Sequence, residues 1–210
     1  MERGSDGAGR QAMRRVVAIM GSYRRGGVTD TAVDAVLEGA RGAGAETSKI
    51  YLIDQHIEFC RNCRACTQEG GMARGRCVIE DDVDWVLRQV ESADALVLAA
   101  SVNYYNATAI FRQFLERMIG YMYWPWGCRV GPLLRTKVKT KRAVLVSSSA
   151  MPAWLIPLIT GAPRALRMAA KMAGARTVGT LWVGTAGIEA EETLPMRTRE
   201  RAMALGRRLS

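Results

Sequence analysis

Four of the five cysteines, Cys60, Cys63, Cys66 and Cys77, crowd into one short segment as C-x2-C-x2-C-x10-C. Thiolates spaced by two residues let a tight loop wrap one corner of an iron-sulfur cube, with the fourth ligand arriving from further along the chain. A [4Fe-4S] cluster is the natural occupant of that pattern. Zinc bound by four thiolates competes, although structural zinc sites usually take paired C-x2-C knuckles. Four unmetallated or redox-active thiols are the third reading. Cys128, isolated in Trp124-Pro125-Trp126-Gly127-Cys128, reads as a small packed apolar residue rather than a ligand.

A second chemistry lies in Gly21-Ser22-Tyr23-Arg24-Arg25-Gly26-Gly27-Val28-Thr29-Asp30, which follows an apolar run and leads into a helical pattern. Glycines let the backbone turn its N–H groups inward, Ser22 and Thr29 carry hydroxyls, and Arg24 can neutralise charge. The helix N-terminus adds its dipole. A phosphate suits all of these. The loop lacks the Gly-Lys-Ser/Thr of a Walker A motif, and no G-x-G-x-x-G occurs in the chain, so ATP hydrolysis and standard dinucleotide binding lose support.

His56 is the only histidine, and it reads as structural. Glu80, Asp81, Asp82 and Asp84 read as a helix start favoured by the dipole rather than a hydrolytic carboxylate pair.

These residues need elements to hold them. Val16 to Met20, Ser48 to Ile53, Ala95 to Ala100, Ala143 to Val146 and Val178 to Val183 are strand candidates. Between them Ala32, Val33, Val36, Leu37 and Ala40 recur at helical spacing. So do Val83, Val86, Leu87 and Val90, and Ile110, Phe111, Phe114, Leu115 and Met118. Further helices are expected over Arg164 to Ala173 and Arg199 to Leu205. Strands apolar throughout and separated by helices describe a doubly wound α/β fold, a five-stranded parallel sheet with helices on both faces. Residues 1–14 read as a disordered leader, and residues 15–210 as a single domain. In such sheets ligands bind beyond the carboxyl ends of the strands, where the strand order reverses.

The 210 residues carry a formal net charge of +10, and the excess is local: residues 117–188 hold eleven Lys and Arg and no Asp or Glu. Anionic cofactors, acidic partner proteins or nucleic acid would match that segment. Lys137, Lys139 and Lys141 alternate, so an extended chain would present them on one side. Tyr121, Tyr123, Trp124 and Trp126 could stack on nucleic acid, but burial at a subunit interface accounts for them more simply, and a basic nucleic-acid-binding module ranks low. The uncharged stretch from Ala143 to Pro163 is long enough to cross a bilayer, yet it holds three serines in a row and three prolines. It reads as strand, loop and helix start, with no membrane span. The polar N-terminus has no secretory core, which implies a cytoplasmic protein.

Gly-Ser-x-Arg-x-Gly-Gly-x-Thr after the first strand resembles the phosphate loop of flavodoxin-like NAD(P)H-dependent FMN reductases. The cysteine segment followed by Cys77-Val78-Ile79-Glu80-Asp81-Asp82, and then Ser101-Val102-Asn103-Tyr104-Tyr105-Asn106, is similar to the iron-sulfur flavoprotein branch of that family. The resemblance implies a flavodoxin-like fold and an FMN-binding oxidoreductase. Its FMN and [4Fe-4S] cluster would pass electrons between a reduced donor, NAD(P)H among the candidates, and an acceptor. A reductase of FMN or quinone without a cluster is the alternative. Ser22, Arg24, Gly27, Val28 and Thr29 would hold the phosphate. Val102, Asn103, Tyr104, Tyr105 and Asn106 would line the ribityl chain and ring, and Ser147, Ser148 and Ser149 the ring's other edge. Cys60, Cys63, Cys66 and Cys77 would be the metal ligands. Val28 and Val102 stand where the family often has Asn and Pro. A small-molecule or protein electron donor or acceptor, and a homodimer or homotetramer, are the implied partners.

Overall fold

The computed structural model describes residues 13–187 and 193–210. In chain order its strands are β1 (Arg15–Met20), β2 (Glu46–Tyr51), β3 (Ala95–Ala99), the short pair β4 (Val102–Asn103) and β5 (Asn106–Ala107), a second short pair β6 (Met122–Tyr123) and β7 (Leu133–Leu134), then β8 (Lys141–Ser148) and β9 (Ala175–Val183). The central sheet runs β2-β1-β3-β8-β9, and every neighbouring pair in it is parallel. This is the five-stranded, doubly wound, flavodoxin-like order that the alternation of apolar runs and helices predicts. The order reverses between β1 and β3, which is where such folds bind ligands.

The helices are α1 (Val28–Gly42), α2 (Val83–Ser92), α3 (Ala109–Arg117), a single turn α4 (Ile156–Ile159), α5 (Ala162–Met172) and α6 (Met196–Arg207). Side chains alternate across the sheet. Val17, Ile19, Leu96, Leu98 and Leu145 point to the face covered by α2, α3 and α5. Val16, Ala18, Met20, Val97 and Val146 point to the face covered by α1 and α6. Two covered faces explain why these strands are apolar throughout. Phe111 and Phe114 of α3 are wholly buried on the first face, each contributing roughly 1.5–3 kcal/mol of transfer free energy.

Element edges differ from the sequence expectation where polarity misleads. β2 starts two residues early at Glu46, and Leu52–Asp54 turn off it as a 3-10 helix. β8 and β9 extend backward into polar residues, since Lys141, Arg142, Arg176 and Thr177 join the ladder near the sheet's rim, with an irregularity at Ala143/Val144. The Ala143–Pro163 stretch is strand, loop and helix start, with Pro163 in the first turn of α5. Among the described residues no helix is long and apolar enough to cross a membrane. The expected leader lies outside the described residues apart from Met13 and Arg14.

Candidate functional site

The loop leaving β1 is shaped by its glycines and by one carboxylate. Gly26 has φ +70°, the left-handed conformation that glycine adopts without steric cost. Its N–H donates to Oδ2 of the buried Asp30 at 2.7 Å. Gly27 caps α1 with extended backbone, and among the described residues no side chain caps the helix start. The positive end of the helix therefore keeps donors for an anion. Behind the loop runs a chain of hydroxyls: Ser101 Oγ donates to Ser22 Oγ at 3.1 Å, and Thr29 Oγ1 lies 2.9 Å from Ser101 Oγ and 2.6 Å from Ser148 Oγ. The ends of β1, β3 and β8 are thus joined through side chains.

Above this floor opens a cavity of about 850 Å³. Ser22, Arg24, Gly27, Val28 and Thr29 line it from the first loop, Val102 and Asn103 from β4, and Ser148 and Ser149 from the end of β8. Four of the sequence-predicted residues stand elsewhere. Ser147 is wholly buried and donates to the Ala100 carbonyl at 2.7 Å. Asn106 turns its Oδ1 back to the Ala107 N–H at 2.9 Å. Tyr104 and Tyr105 form the tip of the β4–β5 hairpin, with φ of 45° and 59°, and both project into solvent. Two positive φ values in a two-residue turn are the type I′ signature, which Asn and Gly usually fill. The hairpin is moored where the Gly161 N–H donates to the Tyr105 carbonyl at 2.7 Å.

Sequence reasoning missed Ser101 as a site residue, together with Ala186, Thr193 and Leu194 on the β9–α6 connection. A signal for Ser101 existed, because a serine follows or ends each of the strands β1, β3 and β8. The β9–α6 residues carry no chemical signature and reach the cavity only through topology.

The cysteine segment lies between β2 and α2. Cys66 is buried, Cys60 and Cys77 are half-buried and Cys63 is exposed. Burial pushes the Cys66 thiol up, and the thiols of Cys77, Cys60 and Cys63 push it further, so the four share one electrostatic neighbourhood. Among the described residues, however, no three His, Cys, Asp or Glu side chains gather closely enough to hold a metal ion. Three arginines grip the segment. Arg64 stacks 3.5 Å from the Trp124 ring centroid and 4.1 Å from that of Trp126, and it donates to the Trp124 carbonyl at 2.6 Å. Arg135 donates to the carbonyls of Cys66, Glu69 and Gly120. Arg117 pairs with Asp81 in a buried ion pair, and its Nη2 lies 3.5 Å from Cys77 Sγ.

Gly75 packs so closely that a Cβ there would meet the Cys66 carbonyl oxygen at 1.8 Å. Around this scaffold Arg64 Nε, Arg117 Nε and Trp124 Nε1 are buried N–H donors with no partner among the described residues. Such donors are costly unless an acceptor reaches them. Of the three, Arg117 is the one whose guanidinium reaches a thiol, that of Cys77.

Other expectations resolve more simply. Cys128 is exposed rather than packed, because the Trp124–Arg129 loop runs over the surface. Trp124 and Trp126 clasp Arg64 rather than forming a free stacking platform. Lys141 is half-buried and donates to the Glu91 and Ala93 carbonyls, so only Lys137 and Lys139 of the alternating trio face solvent. The acidic run does open α2, with Asp81 accepting from the Val83 N–H at 3.1 Å and Asp82 from the His56 N–H at 2.7 Å.

The fold, with its glycine-hydroxyl loop at the β1/β3 switch, is that of a flavodoxin-like α/β protein. Residues 14–153 match the model of the NADPH-dependent FMN reductase family, and the chain belongs to that family, one of flavin-dependent oxidoreductases. It is similar to an iron-sulfur flavoprotein of Archaeoglobus fulgidus, 36% identical over 111 residues that cover 53% of this chain and 48% of the relative. An iron-sulfur flavoprotein of Methanocaldococcus jannaschii is 32% identical over 124 residues, 59% of this chain and 58% of that one. The chain spans about half the length of the curated relatives it matches. The family is the one that the motifs imply, and these relatives carry the name of the branch that the cysteine segment resembles. The fold is also that of an FMN-dependent NADH-azoreductase of Bacillus anthracis solved in complex with FMN, at 13% identity and a TM-score of 0.65, covering 93% of this chain and 97% of that one. A flavone reductase superposes with the same TM-score at 20% identity, covering 93% of this chain and 61% of that chain.

Proposed function

We propose that the chain is an FMN-binding oxidoreductase of the iron-sulfur flavoprotein type, passing electrons between a reduced donor and an acceptor. The observation that carries this reading is the cavity at the β1/β3 switch, floored by an uncapped helix N-terminus and buried hydroxyls, in a chain of the FMN reductase family. Ser22, Thr29 and the first-turn N–H groups of α1 would hold the phosphate, with Arg24 neutralising it at the rim. Val102 and Asn103 would flank the ribityl chain and ring, with Tyr104, Tyr105 and Asn106 on the hairpin beyond them. Ser148 and Ser149 would bound the opposite edge, with Ser147 behind them. When bound, the isoalloxazine accepts a hydride or single electrons, so the protein's part is to bind and orient it.

Cys60, Cys63, Cys66 and Cys77 would hold a [4Fe-4S] cluster, a reading supported by their spacing and by the unpartnered Nε of Arg117, whose guanidinium reaches Cys77. NAD(P)H fits as a small-molecule donor by the family's description, and a protein carrier is the other candidate. Exposed Tyr104, Tyr105, Trp154 and Leu158 suit burial in a homodimer or homotetramer. A cytoplasmic setting would keep the thiols reduced. A second reading, an FMN or quinone reductase without a cluster, is favoured by the failure of three thiols to converge.

Anaerobic purification followed by flavin, iron and sulfide assays separates these readings. Flavin with about four irons per chain fits the first. Flavin without iron selects the second, and absence of any flavin binding overturns both.

A further inference from the structure

Asp30 is a buried carboxylate that flavin chemistry does not require. It occupies the third position of α1, where the helix dipole favours negative charge, yet it also stands one turn from the loop that would take an anionic phosphate. Its oxygens are fully engaged: the Gly26 N–H donates at 2.7 Å, Lys49 Nζ at 2.7 Å, and Tyr51 Oη at 3.0 Å. Lys49 also donates to Asp34 at 2.6 Å. Burial opposes the Lys49 ammonium, but its bonds to Asp30 and Asp34 outweigh that and hold its pKa above the ordinary lysine value. On the outer side Arg25 pairs with Asp54 and stacks 4.3 Å from the Tyr51 ring centroid.

The Lys49 ammonium, shared with Asp34, and the Tyr51 hydroxyl offset part of the repulsion that an unpaired Asp30 would exert on a phosphate. What Asp30 contributes is geometric. The Gly26 N–H bond ties the loop's left-handed residue to the rigid first turn of α1, and Lys49 and Tyr51 tie that carboxylate to β2. A loop held in its binding conformation before the ligand arrives spends less free energy on ordering.

Building on the FMN reading above, we propose that Asp30 is a positioning residue that presets the phosphate loop through Gly26. It thereby makes the site select flavin carrying a terminal phosphate over flavin without one. Asp30 touches no ligand; it acts through the backbone, and the Lys49–Tyr51 pair on β2 is its anchor.

The test compares FMN with riboflavin, which shares the ring and ribityl chain but lacks the phosphate, by fluorescence titration of apoprotein. Asp30→Ala removes the anchor while leaving Lys49 paired with Asp34. It should weaken FMN binding by roughly tenfold or more and change riboflavin binding by less than about twofold. Asp30→Asn keeps an acceptor oxygen for the Gly26 N–H and should recover most of the FMN affinity. Equal losses for both ligands, or no loss for either, overturn the proposal, as does an Asp30→Asn variant as weak as Asp30→Ala. If the wild-type protein binds neither ligand, the FMN reading itself falls and this inference with it. Wild-type binding with an indifferent Asp30→Ala sinks this inference alone.

Discussion

Thr29 Oγ1 lies 2.6 Å from Ser148 Oγ, joining the first turn of α1 to the end of β8 across residues 119 positions apart. Both side chains are buried, and the same Thr29 hydroxyl reaches Ser101 at the end of β3. One hydroxyl therefore sets the spacing of the loop after β1 and two neighbouring loops at once. A hydroxyl has one proton and two acceptor positions, so Thr29 can serve both serines. Valine, of nearly the same shape, can serve neither.

Thr29→Val should cost about 1–3 kcal/mol of folding stability, since it takes the hydroxyl partner from the buried Ser148 and leaves Ser101 bonded to Ser22 alone. Loosening the loops should also weaken FMN binding by roughly tenfold. Urea unfolding and flavin titration measure the two effects. A variant as stable and as tight as wild type would show that the hydroxyl chain does not organise the site.

Arg24 sits on the exposed rim of the cavity. Arg24→Ala should change the folding free energy measured by urea unfolding by about 1 kcal/mol or less, as for most exposed charged side chains. FMN retention should fall, and fall less in high salt, because screening already weakens an exposed charge contact. Unchanged flavin occupancy on gel filtration at low salt would remove Arg24 from the phosphate site.

Much of this was legible in the sequence because two signals agree there. Five apolar runs separated by 3.6-period helices define the sheet, and the glycine-hydroxyl pattern falls after the first of them, where the topology puts ligands. The cavity accordingly gathers Ser22, Thr29, Asn103 and Ser148 from loops far apart in sequence. What was hidden depends on direction rather than residue type. Ser147 and Ser148 are chemically identical neighbours, but side chains alternate along a strand, so one faces the Ala100 carbonyl and the other the cavity. The Tyr104-Tyr105 turn was equally illegible, because tyrosine rarely occupies both left-handed positions of a tight hairpin. Arg64 between two tryptophans is a contact across sixty residues that no local pattern announces.

Arg117 and Asp81 form an ion pair with both side chains essentially without solvent contact. Burial alone would raise the Asp81 carboxyl, but hydrogen bonds from Arg117 and the backbone N–H groups of Glu58 and Val83 prevail and hold it below the usual aspartate range. A carboxyl with a depressed folded pKa contributes stability that is complete above its unfolded value, about 3.9, and is lost as pH falls through the folded value. Stability should therefore begin to fall below about pH 4, and Asp81→Asn should flatten that slope. Breaking the pair should also cost about 3–5 kcal/mol at neutral pH. Urea midpoints from pH 7 to pH 3 test both points, and an unaltered acid slope in the variant would free Asp81 of this role.

Cys63 and Cys128 are both exposed, yet only Cys63 shares the electrostatic neighbourhood of Cys66. Exposure alone would predict equal behaviour in the two, whereas membership of a ligand set predicts opposite outcomes. In protein purified without oxygen, Cys63→Ser should lose most of its iron and acid-labile sulfide while retaining flavin, because the flavin cavity is lined by none of the cysteines. Cys128→Ser should keep both metal and flavin at wild-type levels. Iron and sulfide content, read beside the flavin absorbance of each variant, decides the matter. Equal iron in wild type and Cys63→Ser would exclude Cys63 as a ligand and move the balance to a flavin reductase without a cluster.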